Sequence, residues 1–215
     1  MDQSFVAALM GEDFIFDCRR ALYWPRHKIL IAADLHWGKT EYLRSHGMAI
    51  SDRVLEADLS RLASLYQDYD VRTLLVLGDL IHHEKALSHD IVDIIARFRH
   101  DFPSELILVK GNHDRFTKFP ESWGIVEEKD FYFEEFYFSH DYNKKVKQFQ
   151  FSGHIHPLFR FKAGPDLLKL PSFIVDEKFC LLPAFSYLTS GQVVPLKAGQ
   201  KAVVVSEHGL DIFEK

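Results

Sequence analysis

Five short segments carry side chains of the types that bind metals in proteins, and most of them directly follow a run of apolar residues. These polar segments therefore stand where buried strands are expected to end. We expect loops at one edge of a sheet that all contribute to a single site. In order, the segments are Asp34-Leu35-His36, Gly78-Asp79, Gly111-Asn112-His113-Asp114, His140 and Gly153-His154-Ile155-His156.

Strand-like and helix-like patterns alternate in the first half of the chain. Apolar runs at 28–33, 73–77 and 106–109 are typical of buried strands, and residues 50–69 and 91–98 between them have helical spacing. This β-α-β-α-β order predicts parallel strands joined by right-handed crossovers. Two more strands are predicted before them, at 14–18 and 21–24.

After about residue 124 the segments become short, aromatic and alternating, which predicts antiparallel strands with tight turns. Nineteen Phe residues fit the interior between two packed sheets. We predict one α/β domain over residues 1–215, a two-sheet β-sandwich of mixed strands with helices outside. The later strands are expected at 131–138, 148–152, 158–162, 173–175, 179–182, 202–205 and 210–213.

Bulk properties exclude several protein classes. A net charge of -5 argues against non-specific DNA binding through the phosphate backbone. Cys18 and Cys180 stand beside apolar residues, so we expect buried free thiols in a reducing compartment. The N-terminus has no basic segment, and no window approaches the ~20 apolar residues of a membrane span. A soluble, cytoplasmic protein is expected.

The five segments suit two divalent cations that share a ligand. Asp34 and His36 are two residues apart, so on an extended strand end both side chains point the same way. His154 and His156 repeat this spacing. Asp79 follows a glycine, and one carboxylate can bridge two cations. The amide of Asn112 and the imidazole of His140 complete a mixed oxygen–nitrogen set that suits Mn, Fe or Zn.

Two cations ~3.5–4 Å apart would clamp a phosphoryl group and lower the pKa of a bridging water. His113 and Asp114 then form a candidate proton-handling pair. The imidazole would protonate or stabilise the leaving oxygen, and the carboxylate would orient the imidazole. Each segment alone has an ordinary structural explanation, such as a helix cap, a turn or a surface histidine. The complete set, in this order, favours a catalytic site.

The set resembles the calcineurin-like metallophosphoesterase superfamily, whose pattern is D-x-H, G-D, G-N-H-D/E, H and G-H-x-H. The resemblance implies a four-layer sandwich and two divalent cations, with Mn the first candidate and Fe, Zn or Mg as alternatives. It makes His113 the catalytic histidine and Asp114 its partner. It implies Asp34, His36, Asp79 and His156 as ligands of one cation, and Asp79, Asn112, His140 and His154 as ligands of the other.

A narrower resemblance is to the bacterial ligase-associated DNA damage response endonucleases. It implies a metal-dependent phosphoesterase that works in DNA repair with an ATP-dependent DNA ligase, a helicase and an exonuclease. The segments that carry this resemblance are 21–25, 33–39, 153–157 and 182–185, with Thr189 and Gly191.

Several residues near the five segments are candidate substrate contacts. Many superfamily members have an acidic residue or Arg three positions after the bridging Asp, whereas this chain has His82, followed by His83. Each is either a substrate contact or an ordinary loop histidine. The basic residues near the loops and the charged run 143–147 either bind phosphate or belong to an ordinary solvated surface. We interpret the run 143–147 as a hairpin tip. The basic candidates are Lys39, Arg44, Arg115, Lys118, Arg160 and Lys162.

The sequence therefore predicts a two-metal phosphodiesterase, with a DNA endonuclease of repair as its specific form. One alternative is hydrolysis of small nucleotides or phosphomonoesters. Another is a non-catalytic, metal-stabilised subunit of a repair complex, against which the intact His113-Asp114 pair argues. The shape of the site distinguishes the first two, because a polymer needs an open cleft and a small substrate needs a closed pocket.

Overall fold

Two mixed β-sheets pack face to face in the computed structural model, which describes residues 2–51 and 53–215. The first sheet has the order β1-β2-β3-β4-β5-β6-β7. Its strands are β1 (Ser4–Leu9), β2 (Glu12–Asp17), β3 (Ala21–Trp24), β4 (Ile29–Ala32), β5 (Thr73–Leu77), β6 (Glu105–Val109) and β7 (Ile125–Glu128).

The second sheet has the order β15-β14-β12-β13-β10-β9-β8, and β11 pairs with β12 outside this path. Its strands are β8 (Phe131–Phe133), β9 (Phe136–Ser139), β10 (Phe149–Ser152), β11 (Leu158–Ala163), β12 (Asp166–Val175), β13 (Phe179–Leu181), β14 (Lys201–Ser206) and β15 (Gly209–Glu214). The predicted sandwich of mixed strands is confirmed.

The α-helices are α1 (Lys39–Ser45), α2 (Arg53–Asp68) and α3 (His89–Asp101), and two short 3-10 turns cover Glu84–Ala86 and Glu121–Trp123. Helices α2 and α3 bury apolar residues at helical spacing against the outer face of the first sheet. The outer face of the second sheet is covered instead by the β11 extension and by Leu196. No described helix is long and apolar enough to cross a lipid bilayer.

The predicted parallel strands of the first half, joined by helices, are confirmed. Strands β4, β5, β6 and β7 are parallel neighbours, with Leu30 opposite Leu74 and Leu75 opposite Ile107. Helices α1 and α2 connect β4 to β5, and α3 connects β5 to β6. All carboxyl ends of these strands therefore lie at one edge of the sheet.

The prediction that the later strands are antiparallel was partly wrong. Strand β10 runs parallel to both β9 and β13, with Phe149 opposite Phe136 and Gln150 opposite Phe179. Alternation of apolar and polar residues reports which face is buried but not the direction of the neighbouring strand. The run 143–147 thus belongs to a connection between parallel strands and is not a hairpin tip. Residues 131–138 form two strands, β8 and β9, with a turn at Glu134.

Aromatic residues from both sheets fill the space between them, as the Phe content predicted. Phe151 of β10 lies at the centre and is fully buried. Its ring stacks on Phe138 at 5.2 Å and lies 5.0 Å from Phe14 of the first sheet, measured between ring centroids. This layer keeps the two sheets, and hence their loop-bearing edges, in a defined relation.

Phe151→Ala should lower the free energy of unfolding by about 3–5 kcal/mol, because it leaves a cavity where both sheets meet. Urea denaturation followed by circular dichroism measures the change. Ile212→Ala is the control, because Ile212 is half exposed and its truncation should cost less than about 0.5 kcal/mol. Equal losses of unfolding free energy in the two variants would show that the core does not depend on the packing of Phe151 between the sheets.

Candidate metal centre

Each of the five polar segments follows the carboxyl end of a parallel strand. Asp34 and His36 follow β4, Asp79 follows β5, and the segment from Gly111 follows β6. In the second sheet His140 follows β9, and the segment from Gly153 follows β10. The structure therefore brings all seven predicted ligands to one edge of the sandwich, where the loops of the two sheets meet.

Five of the seven predicted ligands have a left-handed backbone conformation, which L-residues other than Gly rarely adopt. Backbone hydrogen bonds hold two of these turns in place: the amide of Asp34 donates to Gly78 O at 3.1 Å, and that of His36 to Asp79 O at 2.8 Å. Such strain is typical of functional sites. The φ values are 56° for Asp34, 46° for His36, 50° for Asp79, 68° for His154 and 47° for His156.

One group of potential ligand atoms comes from Asp34, His36 and His156. The Nε2 atoms of His36 and His156 are 3.4 Å apart, and Asp34 Oδ1 lies 3.3 Å from His156 Nε2. Two imidazoles and one carboxylate thus face the same small space. This is the donor set that a borderline divalent cation prefers.

A second group comes from Asp79, His140 and His154, with Asn112 beside it. His140 Nε2 lies 3.5 Å from Asp79 Oδ2, 3.0 Å from Asn112 Oδ1 and 2.9 Å from His154 Nδ1. Asp79 Oδ2 is also 3.9 Å from His36 Nε2 of the first group. One carboxylate oxygen therefore lies between the two groups, as the sequence predicted.

The chemistry of these residues fits divalent cations. The side chain of Asp34 is fully buried, and its Oδ1 has no hydrogen-bond partner among the described residues. His140 Nδ1 lies 3.0 Å from Leu77 O, and His156 Nδ1 lies 2.7 Å from Ser190 O. Because a carbonyl only accepts hydrogen bonds, each Nδ1 holds a proton, and each Nε2 presents a lone pair to the site.

Burial also sets the protonation of the first group. It lowers the pKa of His36 to about 2, so this imidazole is neutral and able to bind a cation at ordinary pH. Burial would lower the pKa of His156 as well, but the carboxylate of Asp34 beside its Nε2 outweighs burial and raises that pKa.

His113 is held by the loop that follows β5. Its Nδ1 donates to His82 O at 2.6 Å, and its Nε2 points toward Asp79 Oδ2 at 3.9 Å. About a third of the side chain, 34%, is exposed. The imidazole thus has a defined orientation, is partly open to solvent, and directs Nε2 toward the metal centre.

Asp114 contacts the backbone and not the His113 imidazole that it was predicted to orient. Its carboxylate accepts from the amide of Gly111 at 2.9 Å and from that of Ile81 at 3.4 Å. Burial raises its pKa to about 6. Asp114 therefore ties the loop after β6 to the loop after β5, and the carbonyl of His82 orients the imidazole.

The predicted substrate contacts lie at different distances from the centre. His82 stacks on His113 with ring centroids 5.0 Å apart, and burial lowers its pKa to about 4. Lys39 begins α1 and is half-buried beside His36, whereas Arg44 is exposed near the end of that helix. His83 stacks on Tyr42 and accepts from the Lys85 amide, which is a structural role.

An open cleft of about 1060 Å³ adjoins Asn112, His140 and His154. Arg115 and residues 143–145 of the charged run were predicted candidates on its wall, whereas Lys110 and Lys129 were not predicted. Lys110 directly follows β6, so its position at a strand end was the available signal. The basic residues on the wall are Lys110, Arg115, Lys129, Lys144 and Lys145, and the acidic ones are Asp130 and Asp141.

Two glycines make room for the buried carboxylates. A methyl group at Gly111 would collide with Asp79, and one at Gly153 would collide with Asp34 Oδ2 and the side chain of Ala33. Neither contact involves a flexible chain end, so the carboxylate or the backbone would have to shift. Each motif therefore requires a glycine, because a buried carboxylate from a neighbouring loop packs directly against its backbone.

Gly153→Ala should therefore lower the free energy of unfolding by roughly 1–3 kcal/mol, because the added methyl group overpacks the buried Asp34. Urea denaturation measures this. The matched control is Gly124→Asn, where a side chain meets nothing within 4 Å and asparagine tolerates the φ of 60°. A Gly153→Ala protein as stable as the control would show that this space is not tight.

The chain is similar to a known family and to solved structures. A model of the calcineurin-like phosphoesterase family matches residues 27–182. Among solved structures, the chain is similar to the nuclease MPE of Pseudomonas putida, with a TM-score of 0.81, 29% identity, and coverage of 94% of this chain and 96% of that one.

A double mutant of Vps29 from Entamoeba histolytica also matches, with a TM-score of 0.37 and 13% identity over 86% of this chain and 96% of that one. No protein of curated function matches the chain. The family model covers residues 27–182 of 215, and all seven candidate ligands lie within that span. The chain belongs to the calcineurin-like phosphoesterase family.

Proposed function

We propose that this phosphoesterase is a nuclease that uses two divalent cations to hydrolyse phosphodiester bonds in DNA. The observation that carries the proposal is the open cleft beside the second ligand group, whose wall has five basic and two acidic residues. An open cleft of this volume can admit a polymer chain. A closed pocket would have favoured a phosphomonoester.

In this proposal one cation is held by Asp34, His36, Asp79 and His156, and the other by Asp79, Asn112, His140 and His154. Bound divalent cations supply positive charge for the phosphoryl oxygens and lower the pKa of water. Mn is our first candidate, with Fe, Zn and Mg as alternatives, because a set of imidazoles and carboxylates accepts all of them to some degree.

His113 acts on the leaving oxygen. The His82 carbonyl holds the Nδ1 proton, so the imidazolium form carries a second proton on Nε2, and this is the proton that can be delivered to that oxygen. Asp114 is a positioning residue in this scheme, because it fixes the loop of His113 through the amides of Gly111 and Ile81.

His113→Ala and Asp79→Asn should both lose hydrolysis, but for different reasons. The alanine variant lacks the proton donor and should lose roughly 10²–10⁴-fold in kcat, with bound Mn retained. The asparagine variant loses the shared carboxylate and should bind less Mn. Rates on bis-p-nitrophenyl phosphate and metal content by mass spectrometry measure the two effects.

Two results would contradict these roles. Unchanged turnover by His113→Ala would remove the histidine from catalysis. Full metal content in Asp79→Asn would remove the carboxylate from the metal centre. If the wild-type protein hydrolyses no phosphoester with any divalent metal, the remaining function is a metal-stabilised binding subunit.

Nucleic acid is the substrate class that the cleft supports best. The net charge of -5 disfavours general DNA binding, but the cleft wall concentrates basic residues where substrate would lie. The similar Pseudomonas putida protein is described as a nuclease. A role in cytoplasmic DNA repair beside an ATP-dependent ligase, a helicase and an exonuclease follows from the sequence resemblance alone and stays a prediction.

Lys144→Ala combined with Lys145→Ala should lower the ratio of kcat/KM for single-stranded DNA to that for bis-p-nitrophenyl phosphate. Two lost phosphate contacts should also reduce the slope of log(kcat/KM) against log salt by about 1 to 1.5. Both lysines line the cleft. Kinetics between low and moderate salt measure the ratio and the slope.

The matched control is Arg72→Ala combined with Lys201→Ala, which removes the same charge elsewhere. Arg72 precedes β5, at the edge opposite the metal centre, and Lys201 begins β14. Neither the ratio nor the slope should change in this control. A cleft variant that behaves like the control would favour a small substrate over a polymer.

A further inference from the structure

A second, smaller pocket of about 360 Å³ adjoins the metal centre at His156. His156 lines this pocket, whereas Asn112, His140 and His154 line the large cleft. Each ligand group therefore adjoins its own opening. A strand that passes from the cleft across the centre would enter this pocket.

The segment 182–191 forms one wall of the pocket and is bonded directly to the metal centre. The amide of Phe185 donates to Ala33 O at 2.8 Å, and Ser190 O accepts from His156 Nδ1 at 2.7 Å. Within the segment, Thr189 Oγ1 donates to Ser186 O at 3.1 Å. The wall is thus fixed relative to the residues that would hold the scissile phosphate.

Tyr187 stands on this wall, and its ring is both supported and exposed. The guanidinium carbon of Arg61 lies 4.0 Å from the ring centroid, and that of Arg20 lies 4.3 Å from it. Even so, 60% of the residue is exposed. Exposing a large aromatic ring to water is unfavourable. A ring that is held in place and exposed in this way can stack on a planar partner.

The supporting arginines are themselves anchored. Arg20 donates to Ala184 O at 3.3 Å and to Ser186 O at 3.0 Å. Arg61 is buried, pairs with Asp58 at 2.8 Å and donates to Phe185 O. The position of the tyrosine ring is therefore determined by bonded, buried groups and does not depend on a mobile loop.

The size and lining of the pocket suit one planar ring system with a charged neighbour. A volume of about 360 Å³ is at the lower end of ligand pockets, which favours a single group over a dinucleotide. Lys169 lines the same pocket and can contact a phosphate. Stacking on aromatic rings is how proteins bind single-stranded bases without reading their sequence.

We propose that this pocket, lined by Tyr187, Lys169 and the segment 189–191, binds the base of a nucleotide that adjoins the scissile phosphate. The inference rests on the proposed nuclease function and deepens it. Tyr187 stacks on the base, and the fixed distance from His156 to the segment sets which phosphate reaches the metal centre.

The test uses end-labelled single-stranded DNA with Mn and one abasic residue, placed at each position in turn. The wild-type protein should cut poorly at one phosphate at a constant offset from the abasic residue, because no base fills the pocket there. The expected suppression is roughly 5- to 150-fold, the fold-change that corresponds to one base–aromatic stack. Suppression is a ratio between cuts in one lane, so a loss of folded protein does not change it.

Tyr187→Ala should lose the suppression, and Tyr187→Phe should keep it, because the ring and not the hydroxyl makes the stack. Ile212→Ala, which truncates another exposed apolar residue, should keep it too. Suppression that persists unchanged in Tyr187→Ala, or that is absent from the wild type, would overturn the base subsite. Hydrolysis of bis-p-nitrophenyl phosphate without any cutting of DNA would instead overturn the nuclease function, and the base subsite with it.

Discussion

The amide of His154 donates a 3.0 Å hydrogen bond to Asp34 Oδ2, and this bond joins a loop of the second sheet to a loop of the first. The carboxylate that accepts it is fully buried. Its other oxygen faces His156, so one side chain both connects the sheets and belongs to a ligand group. The close approach is possible only because Gly153 has no side chain. The packing of the two sheets and the geometry of the site therefore depend on the same contact.

Much of this arrangement could be predicted from the sequence. Strands β3 and β5 were predicted with their observed limits, since short apolar runs bounded by charged, proline or glycine residues indicate buried strands well. The seven candidate ligands were predicted from their types and their places after such runs. The structure brings them together in two groups that share Asp79.

Other features depend on contacts that no local pattern encodes. The direction of β10 relative to β9 and β13 is set by tertiary pairing. The orientation of His113 depends on a backbone carbonyl, that of His82, which carries no residue-specific signal. Strand β7 was missed because a short segment that ends in Glu127 and Glu128 lacks apolar alternation. Lys129 and Tyr187 gain their significance only from the openings that they line.

The parallel pairing of β9 and β10 has a consequence for how specificity can change. Parallel neighbours need a connection that returns along the strand, and here that connection carries Lys144 and Lys145 onto the cleft wall. His140 and His154 follow the strand ends on either side of it and are held by the sheet. The connection can therefore lengthen or change its charge while the ligand positions stay fixed. Substitutions in this connection can thus alter substrate preference without altering the geometry of the metal ligands at the same edge of the sandwich.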